Sequence, residues 1–194
     1  TIEQAKIYDP FDIMAPGSPM KIELSTAQEK VYSPIHKSLK KEIFTPYLLH
    51  GVTGSGKTEV YLKLAQDTVL KGRSVLVLVP EISLTPQVAK RFRRAFGARV
   101  ALWHSKMTKA EKGWTWQQLK KSAYSVVVGA RSALFAPLDN LGLIIVDEEQ
   151  EATYKQEAPA PRYHARDVAL IRGRHANATV LLTSATPSLE SYFN

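Results

Sequence analysis

The chain has 194 residues, no cysteine and a formal net charge of +8. That length suits one α/β domain with a substantial core and is short for two. No apolar run approaches the roughly 20 residues of a membrane span, no signal segment opens the chain, and disulfides and thiolate metal sites are excluded.

Absence of cysteine fits a cytoplasmic protein without requiring one. Five scattered histidines show no H-x₃-H spacing, which argues against any metal other than one carried by a nucleotide.

In chain order, residues 1–23 hold Asp9-Pro10, Ala15-Pro16-Gly17 and Ser18-Pro19, and read as a linker or arm from an upstream domain. The domain proper is expected over 24–194. Helical spacing starts after Leu24-Ser25-Thr26, with Ser25 or Thr26 as N-cap, and runs toward Leu39; Pro34 predicts a late start or a kink. Strands are predicted at 47–50, 74–79, 99–103, 125–128, 143–146 and 178–183. Helices are predicted at 59–70, 87–96, 109–122 (Trp116 and Leu119 inward) and 166–175. This alternation implies an α/β fold with right-handed crossovers and a mostly parallel sheet with helices on both faces.

Two segments carry chemistry directly. Gly51-Val52-Thr53-Gly54-Ser55-Gly56-Lys57-Thr58 fits G-x-x-x-x-G-K-[ST] at every fixed position. Its glycines let successive backbone N–H groups point at phosphate oxygens. Lys57 can reach the β- and γ-phosphates, and the Thr58 hydroxyl can meet Mg²⁺. A short strand before the loop and a helix after it supply the required setting, so binding of a nucleoside triphosphate is expected. The second segment, Leu143-Ile144-Ile145-Val146-Asp147-Glu148, is an apolar strand ending in two carboxylates. Beside a phosphate loop, Asp147 reads as the Mg²⁺ partner and Glu148 as the group that orients and deprotonates water.

Charge is uneven. Residues 87–131 hold eleven Lys or Arg and one acid, Glu111, while the remainder is slightly acidic. Such a concentration suggests a surface for a nucleic-acid backbone; two basic, solvated helices are the alternative. From Glu151 to Asp167, tyrosines alternate with Lys, Arg and His around two prolines. That pattern reads either as a platform on which bases stack or as a loop whose tyrosines are pinned to the core.

Ser184-Ala185-Thr186, following the last strand, resembles the coupling motif of superfamily 2 helicases. Val79-Pro80-Glu81-Ile82-Ser83-Leu84-Thr85-Pro86-Gln87 and Gly129-Ala130-Arg131-Ser132-Ala133-Leu134-Phe135-Ala136-Pro137 resemble that family's backbone-gripping segments. Thr85, Ser132, backbone N–H groups and Arg131 suit phosphates. His104, at the end of the intervening strand, is either a DNA contact or a cap or loop histidine.

Across residues 24–194 the chain resembles the primosomal replication-restart helicases. Its most specific stretches are residues 51–61 and 79–87, together with Tyr163-His164-Ala165-Arg166-Asp167. The resemblance implies a RecA-like P-loop NTPase domain, ATP and Mg²⁺ as cofactors, and translocation on single-stranded or forked DNA. It also implies partnership with other primosome and replication-restart proteins in a bacterial cytoplasm. Further, it assigns adenine recognition to Gln28, and DNA contact or coupling to Thr85, His104, Arg131, Ser132, Tyr154, Arg162, Tyr163, Ser184 and Thr186. Arg166 reads with Arg162 as a sensor of DNA.

One departure is Asp147-Glu148-Glu149-Gln150, where the family's fourth residue is His. Only the first motor domain is covered. A second domain with its arginine finger would lie elsewhere, so the isolated chain is expected to be nearly inactive. The rival readings are a non-motor P-loop NTPase or kinase, and a nucleic-acid-binding module with a vestigial nucleotide site.

Overall fold

The computed structural model describes residues 21–193, so most of the linker expected at 1–23 lies outside the described residues. Within them, six strands form one all-parallel sheet in the order β1-β6-β5-β2-β4-β3. The strands are β1 Thr45–His50, β2 Ser74–Leu78, β3 Val100–Trp103, β4 Val126–Gly129, β5 Leu141–Val146 and β6 Thr179–Ser184. The helices are α1 Thr26–Lys41, α2 Lys57–Leu70, α3 Pro86–Phe96, α4 Lys109–Lys120, α5 Ala165–His175 and α6 Leu189–Phe193.

Strands that are apolar at every position are needed because both faces are covered. Val75, Val77, Leu143, Ile145 and Leu181 pack toward α2 and α3, whereas Leu76, Leu78, Ile144, Val146, Val180 and Leu182 pack toward α4 and α5. Alternate residues of one strand thus serve two cores.

Helix α1 begins earlier than Pro34 suggested. The Ser25 hydroxyl accepts from the Gln28 backbone N–H while the Gln28 side chain accepts from the Ser25 N–H, a reciprocal capping box. Pro34 lies inside the helix on its exposed side, where water can solvate the carbonyl it leaves unpaired. Ile22, before the helix, already packs against the core.

The inward placement of Trp116 is corrected. Thr115 and Leu119, four apart, form the buried stripe of α4, and Trp116 stands 37% exposed with its ring tilted against Trp103. The basic stretch is also redistributed. Helix α3, with Lys90, Arg91, Arg93 and Arg94, covers one face of the sheet; α4, with Lys109, Lys112 and Lys120, covers the other. The excess charge therefore does not form one continuous surface. Among the described residues, no helix is long and apolar enough to cross a membrane.

Candidate active site

Every segment with a chemical reading leaves the sheet at its carboxyl edge, the side where open α/β sheets bind ligands. The phosphate loop follows β1, the acid pair β5, and Ser184 closes β6. Those three strands are neighbours, and Gly51 N donates to the Ser184 carbonyl at 3.1 Å, joining the first and last motifs.

In the loop, Gly54 (φ 80°) and Gly56 (φ 84°) adopt left-handed backbone that favours glycine. A Cβ at Gly56 would stand 2.1 Å from the Gln28 amide nitrogen, so the loop requires this glycine for packing as well. Gln28 donates to the Gly56 carbonyl at 3.3 Å while its oxygen stays in the α1 cap. The residue expected to read adenine therefore ties α1 to the phosphate loop. Thr53, Gly54 and Ser55 are exposed at the rim. Lys57 bonds the carbonyls of Gly51 at 2.6 Å and Val52 at 3.4 Å, so its charge lies on the inner curve of the cradle.

Asp147 is held from several directions. One carboxylate oxygen accepts from the Thr183 hydroxyl, the other from the Tyr61 hydroxyl at 3.2 Å, and its backbone N–H pairs with Leu78 of β2. Burial pushes its carboxyl above the ordinary value and the adjacent Glu148 adds to this; bonds from Thr183 and Tyr61 and the charge of Lys57 oppose it. A desolvated carboxylate in this state gains strongly from a divalent cation. With the Thr58 hydroxyl in the first turn of α2, these oxygen donors suit Mg²⁺.

Glu148 sits at φ 48°, an uncommon conformation for a non-glycine residue, which turns its side chain away from the strand direction. Gln150 donates to a Glu148 carboxylate oxygen at 3.0 Å and accepts from the Ser184 hydroxyl at 2.6 Å. Thr186 N–H in turn donates to the Ser184 oxygen at 2.9 Å, with the Thr186 side chain exposed. Glutamine thus joins Ser-Ala-Thr to the carboxylate by hydrogen bonds alone, without a group that titrates near neutrality.

Glu149 was missed in the sequence. Its side chain is fully buried and accepts from Ser188 N–H (2.8 Å), Ser191 Oγ (2.7 Å), Ser188 Oγ (3.1 Å) and Arg166 Nη1 (3.3 Å). Arg166, read as a DNA sensor, is corrected to a strut joining α5 to β5 and α6, because its guanidinium is engaged by Glu149, Asp167, Ser188 and Ser191.

Beyond β2, β4 and β3, a cleft of about 280 Å³ is lined by Glu81, Ser105, Lys112, Arg131, Ser132 and Tyr163, among others. Ser132 is exposed there. Arg131 bonds the carbonyls of Thr153 and Lys155 and lies over the Tyr163 ring, fastening the aromatic loop to the end of β4. Phe135, 53% exposed and edge-on to Tyr163, is a further ring that no periodicity could reveal.

Tyr154 is corrected as a stacking platform. It is fully buried, with its hydroxyl on the Asp147 carbonyl at 2.7 Å, so no base can reach it and its contact is with the acid pair. Arg162 is exposed and lines a second cleft with Lys155, Tyr163 and His164. Thr85 caps α3 by accepting from Val88 N–H. Burial lowers the His104 imidazole below its ordinary value despite Glu111 and Glu81 nearby, leaving it neutral at pH 7 and a weak phosphate partner.

A phosphate cradle facing an acid pair, both on the carboxyl edge of an all-parallel sheet, defines a P-loop nucleotide-binding domain. The chain belongs to the DEAD/DEAH box helicase family, whose profile matches residues 25–193. Membership implies nucleotide use.

The chain is 50% identical to "Replication restart protein PriA" of Bacillus subtilis over 171 residues, covering 88% of this chain and 21% of that protein. It is 45% identical to the protein of the same name from Chlamydia pneumoniae over 193 residues, covering 100% of this chain and 26% of the relative. The chain thus spans about a fifth to a quarter of these curated relatives. Among solved structures, "Structure of RecG bound to three-way DNA junction" matches with a TM-score of 0.66 and 25% identity, covering 89% of this chain and 22% of that one. The Pyrococcus furiosus Hef helicase domain (TM-score 0.60, 22% identity, 88% of this chain and 35% of that one) shares the fold. The sheet is accordingly of the RecA-like helicase type.

Proposed function

We propose that this chain is the ATP-binding motor domain of a DNA helicase acting in bacterial replication restart. It would work in the cytoplasm on single-stranded or forked DNA with other primosome proteins. Support comes from the similarity to the replication restart proteins and from a fold shared with RecG, solved bound to a three-way DNA junction.

Lys57 and the loop N–H groups neutralise the triphosphate, and Thr58 and Asp147 hold Mg²⁺, which supplies charge stabilisation when bound. Glu148, steadied by Gln150, takes the proton of the attacking water. Ser132, Lys112, Arg131 and Tyr163 form the backbone-facing groove, and the exposed Arg162 lines a second cleft that shares Tyr163. Thr85, which caps α3, and His104, which follows β3, are assigned to DNA contact outside that lining.

The observation that carries the reading is the bonded path Ser184–Gln150–Glu148. It connects Ser-Ala-Thr to the hydrolytic carboxylate, a link that a motor needs and a simple nucleotide binder does not. The test is ATP hydrolysis by the full-length protein carrying this domain, with and without forked DNA. Stimulation by DNA is expected. Equal turnover in both conditions would favour a non-motor NTPase.

A further inference from the structure

Among the side chains at the nucleotide site, the buried hydroxyl of Tyr61 has no role in the reading above. Tyr61 is 2% exposed, and its ring stacks on Phe92 of α3 at 6.3 Å between centroids and 14° between planes. Phenylalanine would fill that space equally well, and a hydroxyl taken out of water costs free energy unless it is bonded. This one is bonded: it donates to Asp147 Oδ2 at 3.2 Å.

Thr58 and Tyr61 are three apart on α2 and so share a face of the helix. Asp147 comes from a different element, the end of β5, 86 positions along the chain from Tyr61. The phenol therefore touches one of the two oxygen donors assigned to Mg²⁺ and stands on the helix face that carries the other. The other Asp147 oxygen is held by Thr183 of β6, so the carboxylate is fixed at both ends.

We propose that Tyr61 is a positioning residue of the nucleotide site, its hydroxyl locking the Asp147 carboxylate, together with Thr183, in the orientation a nucleotide-bound divalent cation requires. The inference rests on the nucleotide-site reading and adds to it the residue that pre-organises the Asp147 ligand. A pre-set carboxylate loses little freedom when the cation arrives, which raises affinity for the metal-bearing nucleotide selectively.

The test measures the affinity of the chain for mant-ADP by fluorescence, once with MgCl₂ and once with EDTA. The wild type binds more tightly with MgCl₂. In Tyr61→Phe, affinity in EDTA stays within about two-fold of wild type, whereas the gain from Mg²⁺ shrinks roughly ten-fold, the scale of a hydroxyl bond to a charged group. Thr183→Val, which frees the other Asp147 oxygen, shows the same Mg²⁺-selective loss.

An undiminished Mg²⁺ gain in Tyr61→Phe overturns the proposal. So does an equal loss in both buffers, because that pattern marks a packing role. If the wild-type chain itself shows no Mg²⁺ gain, the metal reading of Thr58 and Asp147 falls and the proposal falls with it. The wild-type arm thereby separates the two failures.

Discussion

Replacing Glu149 with alanine removes the acceptor at the centre of the network joining β5, α5 and α6. The fully buried carboxylate receives four donors, and its loss leaves Ser188 N–H without its partner and Arg166, 12% exposed, without its buried counter-charge. Removing one member of a buried ion pair typically costs about 3–5 kcal/mol. Arg166 keeps Asp167 at 2.9 Å, and the Asp167 side chain is 57% exposed, so the lower end applies. We expect a loss of about 3 kcal/mol, which for a domain of this size lowers the thermal midpoint by roughly 6–12 °C.

The network also predicts a pH signature. Burial raises the Glu149 carboxyl, but the Ser188 backbone N–H, the Ser191 and Ser188 hydroxyls and Arg166 together hold it below the ordinary range. A depressed folded value contributes stability above the unfolded carboxyl pKa of about 4.3 and loses it as pH falls through the folded value. The stability gap between wild type and Glu149→Gln should therefore be full at pH 7 and close progressively below about pH 4. Urea unfolding of both proteins across this range is the assay. A cost of Glu149→Ala below about 1 kcal/mol at pH 7, or a wild-type-to-Glu149→Gln gap indifferent to pH, would refute the reasoning.

Three further outcomes follow from the site. Lys57→Ala should lose measurable nucleotide binding by calorimetry with its thermal midpoint unchanged, because Lys57 contacts loop carbonyls and supports no core; retained affinity would contradict the cradle. Glu148→Gln should keep ATP affinity while hydrolysis by the full-length protein falls by roughly 10²-fold or more, the scale of general base catalysis; wild-type turnover would remove Glu148 from that role. DNA binding by the chain should be weak, nearly indifferent to sequence and steeply weakened by salt, as read by anisotropy with two unrelated oligonucleotides; a strong preference for one of them would exclude a backbone groove.

The phosphate loop and the β5 strand were legible because their chemistry is local. Fixed glycines and an unbroken apolar run state their geometry within eight residues, and strand–helix alternation implied the layered sheet. Side-chain direction in the loops was less accessible. Tyr154 and Tyr163 share one aromatic segment, yet Tyr154 is fully buried with its hydroxyl on the Asp147 carbonyl, whereas Tyr163 is only partly buried. Arg131 suited phosphate by type, but carbonyls of the loop it faces claim two of its bonds. Such assignments depend on which loops meet in space, and one-dimensional spacing does not carry that information.

The sharpest instance is the turn after β5. Asp147 is gripped by Tyr61 and Thr183, Glu148 is bonded by Gln150, Glu149 enters the network with Arg166 and α6, and Gln150 reaches Ser184. An extended strand would send these four residues alternately to two faces. The left-handed backbone at Glu148 breaks that alternation, so the acids of Asp147-Glu148-Glu149 take three different surroundings. Sequence type could mark this tetrapeptide as the centre of the site. Only the turn decides which carboxylate is held by Tyr61 and Thr183, which is bonded by Gln150, and which is spent holding α5 and α6 to the sheet. Because Ser184 is bonded to Gln150 and the chain after it is anchored by Glu149 at Ser188, the Ser-Ala-Thr segment is tied to this turn on both sides.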